Sequence, residues 1–276
     1  MFQLQGIHLR ALTLDAARIE PGRFPFTVPF VETLERLEFT APITFLVGEN
    51  GCGKSTLLEA LACAVGSITV GSEFVGRDRT LDAVRPLGDA CKLTWSARTR
   101  RGFFMRAEDF FGYVRAMAAK REALGRDLEE TERQYADKSR TAQIYARAAY
   151  AGQIDAMERS YGDGLDTRSH GEAFLDFFQA RFVPGGLYLL DEPEVPLSPL
   201  RQMSLLVLLR QMVEQNAQFI IATHSPILMA YPGATILGMD GGQIETVEYE
   251  DLDHVQIMRG FLDHPERYLA RLFGQD

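Results

Sequence analysis

Four short stretches hold most of the residues whose types and spacing suit chemistry. The first is GENGCGKS, Gly48 to Ser55: glycine, four residues, glycine, lysine, serine, the pattern of a phosphate-cradling loop. Gly48, Gly51 and Gly53 permit backbone conformations that side chains forbid, so consecutive amides can turn toward an anion. A helix starting near Lys54 adds the positive end of its dipole. In such a loop Lys54 reaches the β- and γ-phosphates of a nucleoside triphosphate and the Ser55 hydroxyl ligates Mg²⁺. Glu49, Asn50, Cys52 and Thr56 complete the nucleotide-contacting segment. Cys52 admits two readings: a small residue tolerated in the loop, or a thiol at a helix N-terminus that is open to oxidation.

The second stretch is GLYLLDEPE, Gly186 to Glu194, an apolar strand followed by acids. Asp191 at the strand's end suits a Mg²⁺ contact, direct or through water. Glu192, pointing elsewhere in an extended chain, suits the orientation and deprotonation of a water. QFIIATHSP, Gln218 to Pro226, ends a further apolar strand in His224, which could donate to a γ-phosphate oxygen and sense ATP against ADP. The fourth is RSHGEAFL, Arg168 to Leu175, where Ser169 and Glu172 have capping-box spacing. A helix end capped in this way is itself an anion site.

These groups act together only if the chain holds them so. PITFLVG, Pro42 to Gly48, reads as a buried parallel strand. STLLEALACAVG has helical spacing, with Gly66 as its terminator. Short β-like pieces follow in SITVGSEFV, KLTWSAR and GFFMR. From about Ala107 to Gly162 apolar residues recur at helical intervals among many charges and proline is absent, which predicts two or three helices. The last hundred residues return to strand–helix alternation: SLLVLLRQMVEQ as a helix, ATILGMD and QIETVEY as strands, HPERYLARLF as a short amphipathic helix. Alternation about a shared sheet predicts one α/β domain, with the helical stretch inserted as a lobe.

At 276 residues the chain can bury a full core, and its 46% hydrophobic and 24% charged content is that of a soluble globular protein. No apolar run approaches the ~18 residues of a membrane span, and MFQLQGIHLR lacks the make-up of an export signal. Cys52, Cys63 and Cys91 show no metal-ligand spacing, which fits a reducing cytoplasm. A net charge of −9 argues against binding nucleic acid through the overall field. Local basic residues (Arg98, Arg100, Arg101, Arg106, then Lys120, Arg121, Arg126) leave a patch open, against the alternative of solvated helix faces and turns.

GENGCGKS, SHGE, LLDEPE and THSP, in this order, resemble the ABC-type ATPase superfamily, and within it the soluble SMC-like and recombination-associated AAA-family ATPases. The resemblance implies a P-loop NTPase head with a mixed central sheet and an inserted helical lobe: residues 1–106 and 176–276 as the nucleotide-binding lobe, 107–175 as the helical lobe carrying the signature motif. It implies ATP and Mg²⁺ as ligands and a head-to-tail homodimer sandwiching two nucleotides, in which Ser169 and Gly171 of one copy face the γ-phosphate held by the other. His170 and Glu172 depart from the usual glycine and glutamine. Ser198 stands where the D-loop commonly has aspartate. No Q-loop glutamine is evident in GFFMRAEDFF, where Arg106 or Glu108 is the candidate substitute. The expected function is a stand-alone cytoplasmic ATPase coupled to a protein or DNA partner. The alternatives are an ATP-binding subunit of a membrane transporter, or a slowly hydrolysing nucleotide switch in DNA maintenance or phage defence.

Overall fold

A computed structural model describes residues 6–69, 79–161 and 170–274. The N-terminal part carries strand β1 (Leu9–Leu14), helix α1 (Pro29–Thr33), β2 (Leu37–Glu38) and β3 (Ile43–Val47). Helix α2 (Lys54–Val65) follows β3 and ends on Gly66, which is left-handed at φ 72° and donates back to Ala62 and Cys63. Then come α3 (Arg85–Ala90), β4 (Cys91–Trp95) and β5 (Phe104–Arg106).

The helical insertion is two long helices, α4 (Ala107–Tyr135) and α5 (Arg140–Tyr161), tied across by Arg147 to Glu132 at 3.3 Å. Helix α6 (His170–Arg181) leads into β6 (Leu187–Asp191), α7 (Pro199–Glu214) and β7 (Gln218–Ala222). The chain closes with α8 (Pro226–Met229), β8 (Thr235–Gly238), β9 (Glu245–Thr246), α9 (Asp253–Asp263) and α10 (Pro265–Leu272). Helix α7 begins five residues before the expected SLLVLLRQMVEQ, and α9 was not foreseen. Among the described residues no helix is long and apolar enough to cross a membrane.

Six strands form the main sheet in the order β5-β6-β7-β3-β8-β9, parallel except for the antiparallel edge pair β8 and β9. This is the mixed α/β sheet expected. Strands β2, β1 and β4 make a separate antiparallel sheet. The two sheets are stitched by Gln218, fully buried, whose side chain accepts from the backbone of His8 and Leu9 and donates to Leu9 O. A buried amide so satisfied avoids the cost of an unpaired polar group.

The main sheet buries both faces, which is why its strands read as unbroken apolar runs. Phe45, Val47, Tyr188, Leu190, Phe219 and Ile221 face one core, with α6 and α7. Their neighbours Leu46, Leu187, Leu189, Ile220 and Ala222 face the other, with α2 and the small sheet. Helix α6 runs without a break across the 175/176 boundary expected between lobes. Phe174, Phe177 and Phe178 anchor it by ring contacts to Phe103, Phe110 and Phe182, and Phe182 meets Tyr188 and Phe219. The Tyr188 hydroxyl accepts from Val183 N–H at 2.7 Å and donates to Val183 O at 3.0 Å.

Candidate functional site

The loop between β3 and α2 has the backbone its glycines predict. Gly48, Gly51 and Gly53 sit at φ 148°, 86° and 105°. A side chain on Gly53 would also stand 2.5 Å from Val28 Cγ1, so both conformation and space demand glycine there. Helix α2 starts at Lys54, with Ser55 and Thr56 in its first turn. Lys54 is 6% exposed and folds back over the loop, its Nζ donating to Gly48 O at 2.8 Å and Glu49 O at 2.9 Å, with Cys52 Sγ at 3.8 Å.

Parallel pairing brings the strand ends to this loop. Asp191 ends β6 in register with Ala222 of β7, and His224 follows two residues on. The Ser55 hydroxyl lies beside the Asp191 carboxyl and lowers its pKa, and Asp191 Oδ1 is buried without a partner. Burial pushes the Asp191 carboxyl up to about 7; the Ser55 hydroxyl opposes this, the Glu192 and Glu59 charges add to it, and Arg106 opposes it. An orphaned carboxylate oxygen beside a hydroxyl is a set of hard oxygen donors suited to Mg²⁺, which commonly takes one or two protein oxygens and leaves the rest to phosphate and water. Among the described residues no three acidic, histidine or cysteine side chains form a closed metal cage.

Glu192 was expected in an extended chain and is not. Its φ is 50°, a left-handed conformation that costs a non-glycine residue about 1–3 kcal/mol. The strand's pairing runs one residue past β6 through Glu192 N–H to Ala222 O, and the chain then turns. The turn brings Glu192 Oε1 within 3.8 Å of His224 Nε2. His224 N–H donates to Glu194 Oε1 at 2.7 Å, while its Nε2 is buried with no hydrogen bond. Burial and then Lys54 hold the His224 imidazole below its ordinary value, so it is neutral at pH 7.

Two clefts flank this arrangement, and Ser55 and Glu192 line both. One, of about 330 Å³, runs over Asn50, Gly51, Gly53, Lys54 and Thr56 to Phe24, which is 49% exposed. The other, of about 360 Å³, includes Asp191, Glu59, Arg106 and Glu108. A separate hollow of about 420 Å³ between α4 and α5 holds none of the site residues.

Arg106 lies beside Asp191 in the β5–β6 register, and it is not a surface cation. Its guanidinium binds Asp109 at 2.9 and 3.2 Å, Glu59 at 3.1 Å and Thr80 at 2.8 Å. Burial works against its charge, but the Asp109 and Glu59 bonds outweigh that and raise its pKa. The basic patch read from the sequence therefore loses Arg106, while Arg126 pairs with Glu122 within its own helix.

Asp240, just past β8, was missed by sequence reading. Its Oδ1 accepts Glu49 N–H at 2.8 Å and clasps the start of the loop. The available signal was its place, an acid after an apolar strand, but nothing local says that β8 pairs with β3. Phe24 was missed too, because it lies in a turn-rich stretch without periodicity. Of the signature residues, Gly171 is in the first turn of α6 and Ser169 lies outside the described residues. Ser198 is an N-cap of α7 whose hydroxyl makes no capping bond.

The mainly parallel sheet and the loop between β3 and α2 give the fold of the P-loop NTPase class. Family models agree: one for an AAA domain matches residues 28–82, and one for an AAA domain described as a putative AbiEii toxin of a type IV toxin–antitoxin system matches 173–230. The chain is 25% identical over 266 residues to the ribose import ATP-binding protein RbsA 1 of Burkholderia ambifaria, covering 94% of this chain and 47% of that protein. It is 24% identical over 206 residues to the L-cystine transport system ATP-binding protein TcyN of Escherichia coli, covering 73% and 77%. The chain thus spans about half the length of the ribose-import relative. A solved Smc head domain from Pyrococcus furiosus, bound to the C-terminal domain of ScpA, aligns with TM-score 0.47 at 12% identity, over 92% of this chain and 99% of that one. Over these matches the chain is similar to ATP-binding proteins of the ABC type.

Proposed function

We propose that this chain binds ATP with Mg²⁺ over the Gly48–Thr56 loop, hydrolyses it, and does so as a head-to-tail homodimer with two nucleotides between the copies. The observation that carries the reading is the meeting of Asp191, Glu192 and His224, from two adjacent strand ends, at a loop already shaped for phosphate.

In this reading Lys54 exchanges the carbonyls of Gly48 and Glu49 for phosphate oxygens. Ser55 and Asp191 would hold Mg²⁺, which would supply positive charge to the β- and γ-phosphates. Glu192 takes a proton from a water whose oxygen attacks the γ-phosphorus, and the bond to the bridging oxygen breaks so that ADP leaves. His224, neutral, donates from Nε2 to a γ-phosphate oxygen. Phe24 offers its exposed ring to the adenine. Ser169 and Gly171, at the start of α6 in the 107–175 lobe, reach the γ-phosphate of the opposite copy. A protein or DNA partner in the cytoplasm uses the cycle.

The test is Glu192→Gln. Expected is loss of phosphate release with ATP binding retained, and an ATP-dependent dimer by size-exclusion chromatography with light scattering. A variant that binds ATP and stays monomeric defeats the sandwich; one that still hydrolyses defeats Glu192 as the base. The importer names of the relatives favour a second reading, an ATP-binding subunit of a membrane transporter. Co-purification of the same variant with an integral membrane protein would select it.

A further inference from the structure

A second imidazole, besides that of His224, lies within electrostatic reach of Lys54 in the phosphate-binding loop. His254 stands in the first turn of α9, and its neighbours Leu252 and Val255 are buried in the same core as Val47, Leu228 and Met229. Just before it, the Tyr249 hydroxyl donates to Pro226 O at 3.1 Å, tying this segment to the turn after His224. His254 lies within electrostatic reach of Lys54, Asp240 and His224. Its Nε2 is buried and makes no hydrogen bond, as does the Nε2 of His224.

A buried imidazole nitrogen without a partner costs free energy, so a site that keeps one is explained by a ligand that supplies the partner. Among the described residues none supplies it. An anion held by Lys54 would. We propose that His254 is a second sensor of the terminal phosphate, donating from Nε2 to a γ-phosphate oxygen and so linking the C-terminal helices α9 and α10 to the nucleotide state. The outer side of those helices carries exposed Ile257, Leu262, Leu272 and Phe273, so a shift at their root would move an apolar surface.

This inference rests on the cleft being an ATP site, and the test separates the two. Isothermal titration of the full chain with Mg²⁺ compares ADP with the β,γ-imido analogue of ATP. Expected for His254→Ala is an analogue affinity weakened by about ten-fold or more, the size of a lost hydrogen bond to a charged group, with ADP affinity within about two-fold. His254→Gln, whose amide keeps a donor, should recover most of the preference. Should the alanine variant melt early, His254→Phe fills the space without a donor and gives the same comparison. If analogue and ADP weaken equally, or neither changes, His254 does not read the terminal phosphate. If His224→Ala erodes the preference and His254→Ala does not, the ATP site stands and this inference falls. If the unaltered chain binds neither nucleotide, both fall.

Discussion

Glu192 Oε1 lies 3.8 Å from Nε2 of His224, and the backbones that carry them are joined by Glu192 N–H to Ala222 O at 2.9 Å. One hydrogen bond across adjacent parallel strands thus fixes the spacing of a carboxylate and a neutral imidazole. The distance is too long for a hydrogen bond, and Nε2 of His224 is buried without a partner.

From this pairing, His224→Ala should lower single-turnover phosphate release by about 100-fold, the lower end of what a positioned proton donor or acceptor contributes. ADP binding should be unchanged, since the Glu194 contact is made by the backbone of residue 224 and survives the substitution. Equal release rates in variant and parent would remove His224 from the chemistry.

Asp240→Ala should loosen the loop it clasps. The lost bond to Glu49 N–H is charge-assisted but solvent-exposed, so a stability loss of about 1 kcal/mol is expected. ATP and ADP affinities should fall together, because the loop serves both. Asp240→Asn retains an acceptor and should behave nearly as the parent in thermal melts and nucleotide titrations.

Arg106→Met should destabilise the fold by about 3 kcal/mol, because Glu59 and Asp109 are left partly buried without their counter-charge. Burial already raises the Glu59 carboxyl, with Arg106 pulling against it. Adding Glu59→Gln and Asp109→Asn should therefore recover part of the loss in urea unfolding. No recovery would mean that Arg106 acts by packing alone.

Glu194 gives the fold a distinctive pH dependence. Burial raises its carboxyl above 4.5, against hydrogen bonds from Thr223 and the His224 backbone. The folded state then holds the proton more tightly than the unfolded one, so this residue's contribution to stability is complete below about 4.5 and is lost as pH rises through the folded value. Glu194→Gln cannot ionise and keeps an acceptor oxygen for His224 N–H. The melting temperature of the variant relative to the parent should rise from pH 4 to pH 8; a constant difference would show that folding does not raise the Glu194 carboxyl.

The sequence by itself determined what is local. Apolar runs ending in Gly48, Asp191 and His224 marked β3, β6 and β7, because parallel strands buried on both faces have no polar alternation to hide them. The glycines of the loop and Gly66 after α2 were legible because left-handed backbone selects glycine whatever the fold. Tertiary structure alone decided the rest. Asp240 meets Glu49 across 191 positions, and Arg106 meets Glu59 across 47. Leu252 and Val255, which flank His254, join a core that also holds Val47 and Phe45 of β3, about 200 positions away. The turn at Glu192, read as extended, is left-handed in a non-glycine residue, a conformation that residue type disfavours. Spacing along a chain encodes hydrogen bonding and burial over a few residues; which distant acid closes on a given amide depends on the order in which strands pair.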